Sequence, residues 1–240
     1  MTVKNQPRWK FVAIAALILG LLAVVAGALI YPRLNGPRPP DPHRFDAKIA
    51  SFGEIDRATP PPANPILFVG SSSIRLWPTD SLFSEFPILN RGFGGSHISD
   101  VNHFVTEVVL PYAPQIIVFY AGDNDVNDGK SPAKVLSDYR NFVSYVRDAG
   151  QRPFILFVSI KPSPSRWSVW PQMAEANDLI RTYSESDSLL GYVDLASLML
   201  IPDGRPRSSL FVSDSLHLSD EGYREWTDAL RPVLESLYSE

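Results

Sequence analysis

The sequence predicts a three-layer α/β/α domain on a five-stranded, mainly parallel sheet, preceded by one N-terminal transmembrane helix. Three observations predict it: short apolar runs alternating with longer amphipathic stretches, a composition suited to one globular domain, and an uncharged apolar segment at residues 11–31. Strands that alternate with helices imply a parallel sheet covered on both faces. The runs at 66–69, 88–89, 116–120, 154–160 and 191–195 read as strands, and 132–149, 171–186 and 219–238 as the clearest helices between and after them.

Residues 1–10 form a basic N-terminus with Lys4, Arg8 and Lys10 and no acid. The following FVAIAALILGLLAVVAGALIY, at 11–31, has the length and apolarity to span a bilayer core as a helix. With the basic flank inside, the domain is expected on the exported side of the membrane. Ala26, Gly27 and Ala28 also offer a small-residue cleavage pattern, so the segment reads as an anchor or as a signal peptide, the latter giving a secreted domain. Its length, beyond the ~7–15 residues of a usual signal core, favours the anchor. Residues 32–44, with five prolines between Pro32 and Pro42, predict an extended stalk. The folded domain is expected over 45–240. It begins with a helical pattern at 45–58 that sets Ile49, Phe52 and Ile55 on one side and stops at the prolines from Pro60.

The chain has 240 residues, 45% hydrophobic and 20% charged, with room for one domain of about 200 residues beyond the apolar segment. Lys4, Arg8 and Lys10 contribute plus three to the net minus four, so the rest of the chain carries minus seven. A mildly acidic domain with dispersed Lys and Arg does not fit a nucleic-acid partner. The absence of cysteine excludes disulfides, thiol catalysis and thiolate metal sites.

In such sheets ligands sit at the carboxyl ends of the strands, so the loops there carry the information. The first strand runs into FVGSSSIRLW, where Gly70 permits a sharp turn before three hydroxyls. Ile74 stands where a GxSxG elbow would need its last glycine, and the loop alone also suits a helix cap or a phosphate cradle. After the second strand comes NRGFGGSHISD, whose glycines let backbone N–H groups approach a bound oxygen or serve only as a turn. The third strand leads into YAGDNDVND, which reads as a turn and cap or as the source of an amide donor, Asn124. Near the C-terminus, DSLH sets Asp214 three residues before His217, close enough to hold one imidazole tautomer or to form an ordinary surface pair.

These four ordered blocks, over residues 66–238, resemble the SGNH/GDSL hydrolases. The resemblance implies a flavodoxin-like fold, a serine esterase activity and no cofactor. Gly70, Ser71 and Ser72 match the GDS block, with Ser72 as nucleophile. Gly95 and Asn124 match the oxyanion donors, the latter within Gly122, Asp123, Asn124 and Asp125, joined by the Ser72 backbone. Asp214 and His217 match DxxH, with His217 as base. Ser71 stands where the family usually has Asp, which leaves open how the nucleophile turn is supported and whether Ser71 or Ser73 aligns with the nucleophile.

The family acts on acetylated sugars, lipids, thioesters and simple esters. The loop IKPSPSRWSVW places Lys161, Arg166, Trp167 and Trp170 on the predicted rim, where cationic and aromatic groups suit a sugar or an anionic acyl group; packing of the two tryptophans is the alternative. Acyl transfer to a cell-envelope glycan and a catalytically inactive tethered binding module are the competing functions. A metal hydrolase using His97, His103, Asp214 and His217 is a third, against which the spacing of His97 and His103 argues, since it is not that of helical i, i+4 ligands. No oligomeric state is legible.

Overall fold

A computed structural model describes residues 41–239. The predicted membrane segment at 11–31 lies outside them, as does most of the stalk; among the described residues no helix is long and apolar enough to cross a membrane.

Pro42–Phe45 forms a 3-10 turn, capped by the Asp41 carboxylate, which accepts from the His43 N–H. It leads into α1 (Asp46–Ala58), which buries Ile49 and Phe52. The sheet begins with β1 (Ile66–Gly70), followed by the short helices α2 (Ser72–Arg75) and α3 (Thr79–Leu82). Next come β2 (Ile88–Gly92), α4 (Ile98–His103), α5 (Val105–Val108) and β3 (Ile116–Tyr120). The chain continues through α6 (Asp123–Asn127), α7 (Pro132–Asp148), β4 (Phe154–Val158), α8 (Trp170–Ser184), β5 (Leu190–Val193) and α9 (Asp220–Tyr238). The two long polar-faced helices start as their sequences dictate. Ser131 caps α7 by accepting from Lys134 N–H, with Pro132 at the first helical position, and Ser219 caps α9 by accepting from Gly222 N–H.

The five strands form one sheet in the order β2-β1-β3-β4-β5, and every pairing is parallel rather than only most of them. Alternate strand residues enter two separate cores. Leu67, Val69, Ile117, Phe119, Ile155 and Phe157 meet α1, α4, α5, α7 and α8 on one face. Ile66, Phe68, Val118, Tyr120 and Leu156 meet Trp77, Phe83, Trp226, Leu230 and Leu234 on the other. Burial on both faces is why these strands are continuously apolar instead of alternating.

Three strand ends differ from the sequence expectation by two or more residues, the last being β5, which ends at Val193 rather than at 195. β4 ends at Val158, because Ile160 leaves the sheet to bond Asn177 through its N–H, and the Ser159 hydroxyl accepts from Leu195 and Ala196 N–H. β2 extends to Gly92 through polar Asn90 and Arg91, an edge strand whose Arg91 side chain is paired with Asp56 and Tyr112.

Candidate active site

The strand order reverses between β1 and β3, which makes the crevice at their carboxyl ends the natural ligand site. β1 ends at Gly70, with φ of 141°, where a Cβ would overlap the Tyr120 carbonyl oxygen. Only glycine lets the chain turn there. The Ser71 N–H donates to that same carbonyl at 2.9 Å. Ser72 then opens α2, buried, with its Oγ 3.0 Å from His217 Nε2.

His217 is presented by the hairpin between β5 and α9, where Phe211 pairs with Leu218. Its Nδ1 lies 2.6 Å from Asp214 Oδ2. Asp214 Oδ1 accepts from the backbone N–H groups of Leu216 and His217, each at 2.9 Å, closing a turn in which Ser215 takes φ of 59°. The bond from the His217 ring, then those two N–H groups, hold the Asp214 carboxyl down at about 2. An ionised Asp214 keeps the proton on Nδ1 and leaves Nε2 to accept from the Ser72 hydroxyl. Of the three adjacent serines it is Ser72 that meets His217: Ser73 Oγ accepts from Lys161 Nζ, and Ser71 Oγ is buried without a hydrogen-bond partner.

Gly95 takes φ of 82° in the loop after β2. Among the described residues, neither its N–H nor that of Ser72 has a protein acceptor. Asn124 lies in the first turn of α6, its Nδ2 donating to the Ser96 carbonyl at 3.0 Å and its Oδ1 accepting from Arg166 Nη2 at 2.9 Å. The next residue, Asp125, is buried and accepts from Ile98 N–H and from Lys130 Nζ, the latter at 2.8 Å. Lys130 also donates to Ser99 Oγ and Asp138 Oδ2. Burial pushes the Asp125 carboxyl up in spite of the ammonium beside it. Through these bonds the loops carrying Gly95 and Asn124 are clamped together.

The loop after β4 corrects one expectation. Lys161 is not on the rim: it is 1% exposed and its three donors are taken by Ser73 Oγ, Tyr120 OH and Asp123 Oδ2 at 3.0, 3.1 and 3.0 Å. A lysine so enclosed cannot reach a substrate. Burial alone would push Asp123 up, but Lys161 and Arg166 hold its carboxyl below the usual range. Arg166 reaches Asp123 Oδ2 with Nη1 at 3.1 Å, an ion-pair contact without hydrogen-bond geometry, while its Nη2 binds Asn124. Trp167 and Trp170 stack on each other, ring centroids 6.1 Å apart and planes within 12°. Trp170 also packs against the core, whereas Trp167 lines an open pocket of about 480 Å³ with Pro164, Ile201, Arg205, Arg207 and Ser209.

The histidines weighed as metal ligands do not converge. His97 Nε2 pairs with Asp128 at 2.9 Å, His103 meets His43 edge-on, and His217 meets Ser72 and Asp214. Among the described residues no three His, Asp or Glu side chains group as a ligand set.

Sequence reasoning missed the buried Asp123–Lys161–Arg166 cluster and the Asp125–Lys130–Asp138 cluster. The available signal was the alternation of Asp123, Asn124 and Asp125 directly after an apolar strand, which puts two acids where each needs a buried cation.

The GDSL-like lipase/acylhydrolase family model matches residues 74–225, a stretch that includes Gly95, Asn124, Asp214 and His217 and starts two residues after Ser72. The chain therefore belongs to this family, and it is an enzyme of the GDSL esterase type. Solved structures agree on the fold. A Streptococcus pneumonia protein provisionally designated a platelet activating factor superposes with a TM-score of 0.70 at 20% identity, covering 88% of this chain and 99% of that one. A GDSL-like lipase of Bacteroides thetaiotaomicron gives 0.67 at 17%, over 79% and 98%. An acetyl-xylooligosaccharide esterase of Geobacillus stearmophilus gives 0.56 at 14%, over 74% and 95%. No curated protein matches the chain by sequence.

Proposed function

We propose that the chain hydrolyses a carboxylic ester through an acyl-Ser72 intermediate. The observation that carries this reading is the unbroken line from Ser72 Oγ through His217 to Asp214, at 3.0 and 2.6 Å. His217 Nε2 takes the Ser72 proton as Oγ attacks the ester carbonyl, and Asp214 stabilises the imidazolium that forms. The tetrahedral oxyanion accepts hydrogen bonds from the Ser72 and Gly95 N–H groups and from Asn124 Nδ2. His217 returns its proton to the leaving alkoxide, which frees the alcohol. A water, deprotonated by the same imidazole, then cleaves the acyl-serine and releases the acid.

For substrate we propose a small acyl group, acetyl first, on a carbohydrate alcohol. In support, a structural relative is named for acetylated xylooligosaccharides, and Trp167 lines a pocket beside the hairpin that carries His217. Ser165 N–H bonds the Ser215 carbonyl at 3.0 Å, which ties the loop carrying Pro164 and Trp167 to the turn before His217. We also propose that the domain works on the exported side of a membrane, tethered by residues 11–31; the support is the basic flank and apolar length of that segment.

The test is labelling of the domain from Asp41 onward by a fluorophosphonate probe, with turnover of short p-nitrophenyl esters, alongside Ser72→Ala and His217→Ala. Labelling and turnover that vanish in Ser72→Ala support the acyl-serine mechanism. Folded wild-type protein that neither labels nor turns over an ester refutes it.

A further inference from the structure

We infer that Arg166 is a positioning residue that fixes which way the Asn124 carboxamide faces, an inference that rests on the oxyanion role proposed for Asn124. A carboxamide presents an acceptor and a donor of nearly equal size, and only its NH₂ end can meet an oxyanion. Arg166 can only donate, so Nη2 at 2.9 Å demands Oδ1 on its side. The Ser96 carbonyl can only accept, so at 3.0 Å it demands Nδ2 on the other. Two neighbours of opposite polarity thus exclude the flipped amide. Among the described residues, the second Nδ2 hydrogen has no protein acceptor.

The guanidinium is itself anchored. Its Nη1 sits 3.1 Å from Asp123 Oδ2, and Asp123 also holds the Asn124 backbone N–H through Oδ1 at 3.0 Å. Lys161, fully enclosed, locks the same Oδ2 from behind while bonding Ser73 Oγ next to Ser72. One buried cluster therefore ties the nucleophile turn to the amide across the mouth of the β1–β3 crevice. This supports the turn at the place where Ser71 leaves its own hydroxyl without a partner. A cation against Oδ1 also polarises the amide and strengthens its remaining N–H as a donor. Nη1 faces Asp123 while Nη2 donates to Asn124, and a lysine could not span the two partners as this planar fork does.

The experiment measures kcat and KM on neutral p-nitrophenyl acetate for wild type, Arg166→Met, Arg166→Lys, Asn124→Ala and the Arg166→Met/Asn124→Ala double variant, with a thermal melt of each. A misplaced donor costs about tenfold to 10² in kcat, so both Arg166 variants should lose that much with KM changed less than about twofold. In the Asn124→Ala background the Arg166 substitution should change kcat by less than about threefold, since the group it acts through is gone. If Arg166→Met does not fold, Arg166→Lys with its own Asn124→Ala double variant supplies the same comparison. A full Arg166 effect that persists without Asn124, or a rise in KM at constant kcat, overturns the inference and leaves the oxyanion reading intact. An Asn124→Ala variant with unchanged kcat, or a wild type without turnover, overturns both.

Discussion

Lys161→Met tests how much the enclosed cluster contributes to stability. The substitution removes an ammonium whose partners are Ser73, Tyr120 and Asp123 and leaves buried Asp123 with Arg166 as its only cationic contact among the described residues. Breaking a buried pair from one side costs about 3–5 kcal/mol, and the surviving Arg166 contact places the loss near the lower end, about 3 kcal/mol. In a domain of this size that lowers Tm by roughly 6–12 °C. The loss depends on pH. In the wild type Asp123 is held below its ordinary value of 3.8, so its ionisation adds stability above that value and the contribution fades as pH falls through the lowered pKa. Without Lys161 the first of the two cations that offset burial is lost, so the same carboxyl rises and its ionisation contributes less stability at higher pH. Lys161 itself is raised from 10.5 and stays charged throughout the range. Thermal melts of both proteins at about pH 4, 5.5 and 7.5 should show the gap widest at the highest pH and closing toward the lowest. A gap under about 2 °C near neutrality, or one that does not move with pH, refutes the reasoning.

Four further outcomes are expected. Asn124→Ala should lower kcat by about 10² to 10³ in an ester assay while the protein still labels at Ser72, because only a transition-state donor is lost. Asp214→Asn should lower kcat by roughly 10³ to 10⁴; and since the bonds to Asp214 hold its carboxyl at about 2, the acid limb of the wild-type kcat/KM profile should show one proton, not two, down to about pH 3. Gly70→Ala should cost about 3 kcal/mol or more by urea denaturation, or give no soluble protein, because its Cβ meets the Tyr120 carbonyl at a φ that L residues avoid. Trp167→Ala should raise KM for acetylated sugars about three- to tenfold, whereas Trp170→Ala, whose ring packs on the core, should show itself first as a lower Tm.

The central strands β1, β3 and β4 were legible because each is apolar on both faces, the pattern of a doubly covered parallel sheet; the helices were legible from caps such as Ser131–Pro132 and Ser219. Ser72, Asn124, Asp214 and His217 can be named from the resemblance of four ordered polar blocks to the SGNH/GDSL hydrolases, since each block alone also reads as a turn, a cap or a surface pair. Lys161 and Arg166 could not be placed so directly. A lysine in a loop reads as solvated, and its burial depends on an acid 38 positions away that arrives only when β3 and β4 lie side by side. The strand pairing, not local sequence, decides which charges are enclosed. The same holds for Asp125, whose backbone partner comes from α4 and whose cation, Lys130, is itself held by Asp138 of α7.

The proposed base hangs from a different kind of support than the nucleophile. Ser72 is rooted in a central strand between two cores, but His217 rides on a short hairpin closed by one antiparallel bridge and by the bonds Val212 to His217 and Ser219 to Leu210. Leu210, Phe211 and Leu218 pin its two arms into the core, while Asp214, Ser215 and His217 stand at the less buried tip, and such tips open locally at less free energy than a central sheet. The hairpin tip is thus a fuse in the proposed circuit: under mild denaturant or heat, activity is expected to fail there before the sheet that carries Ser72 melts.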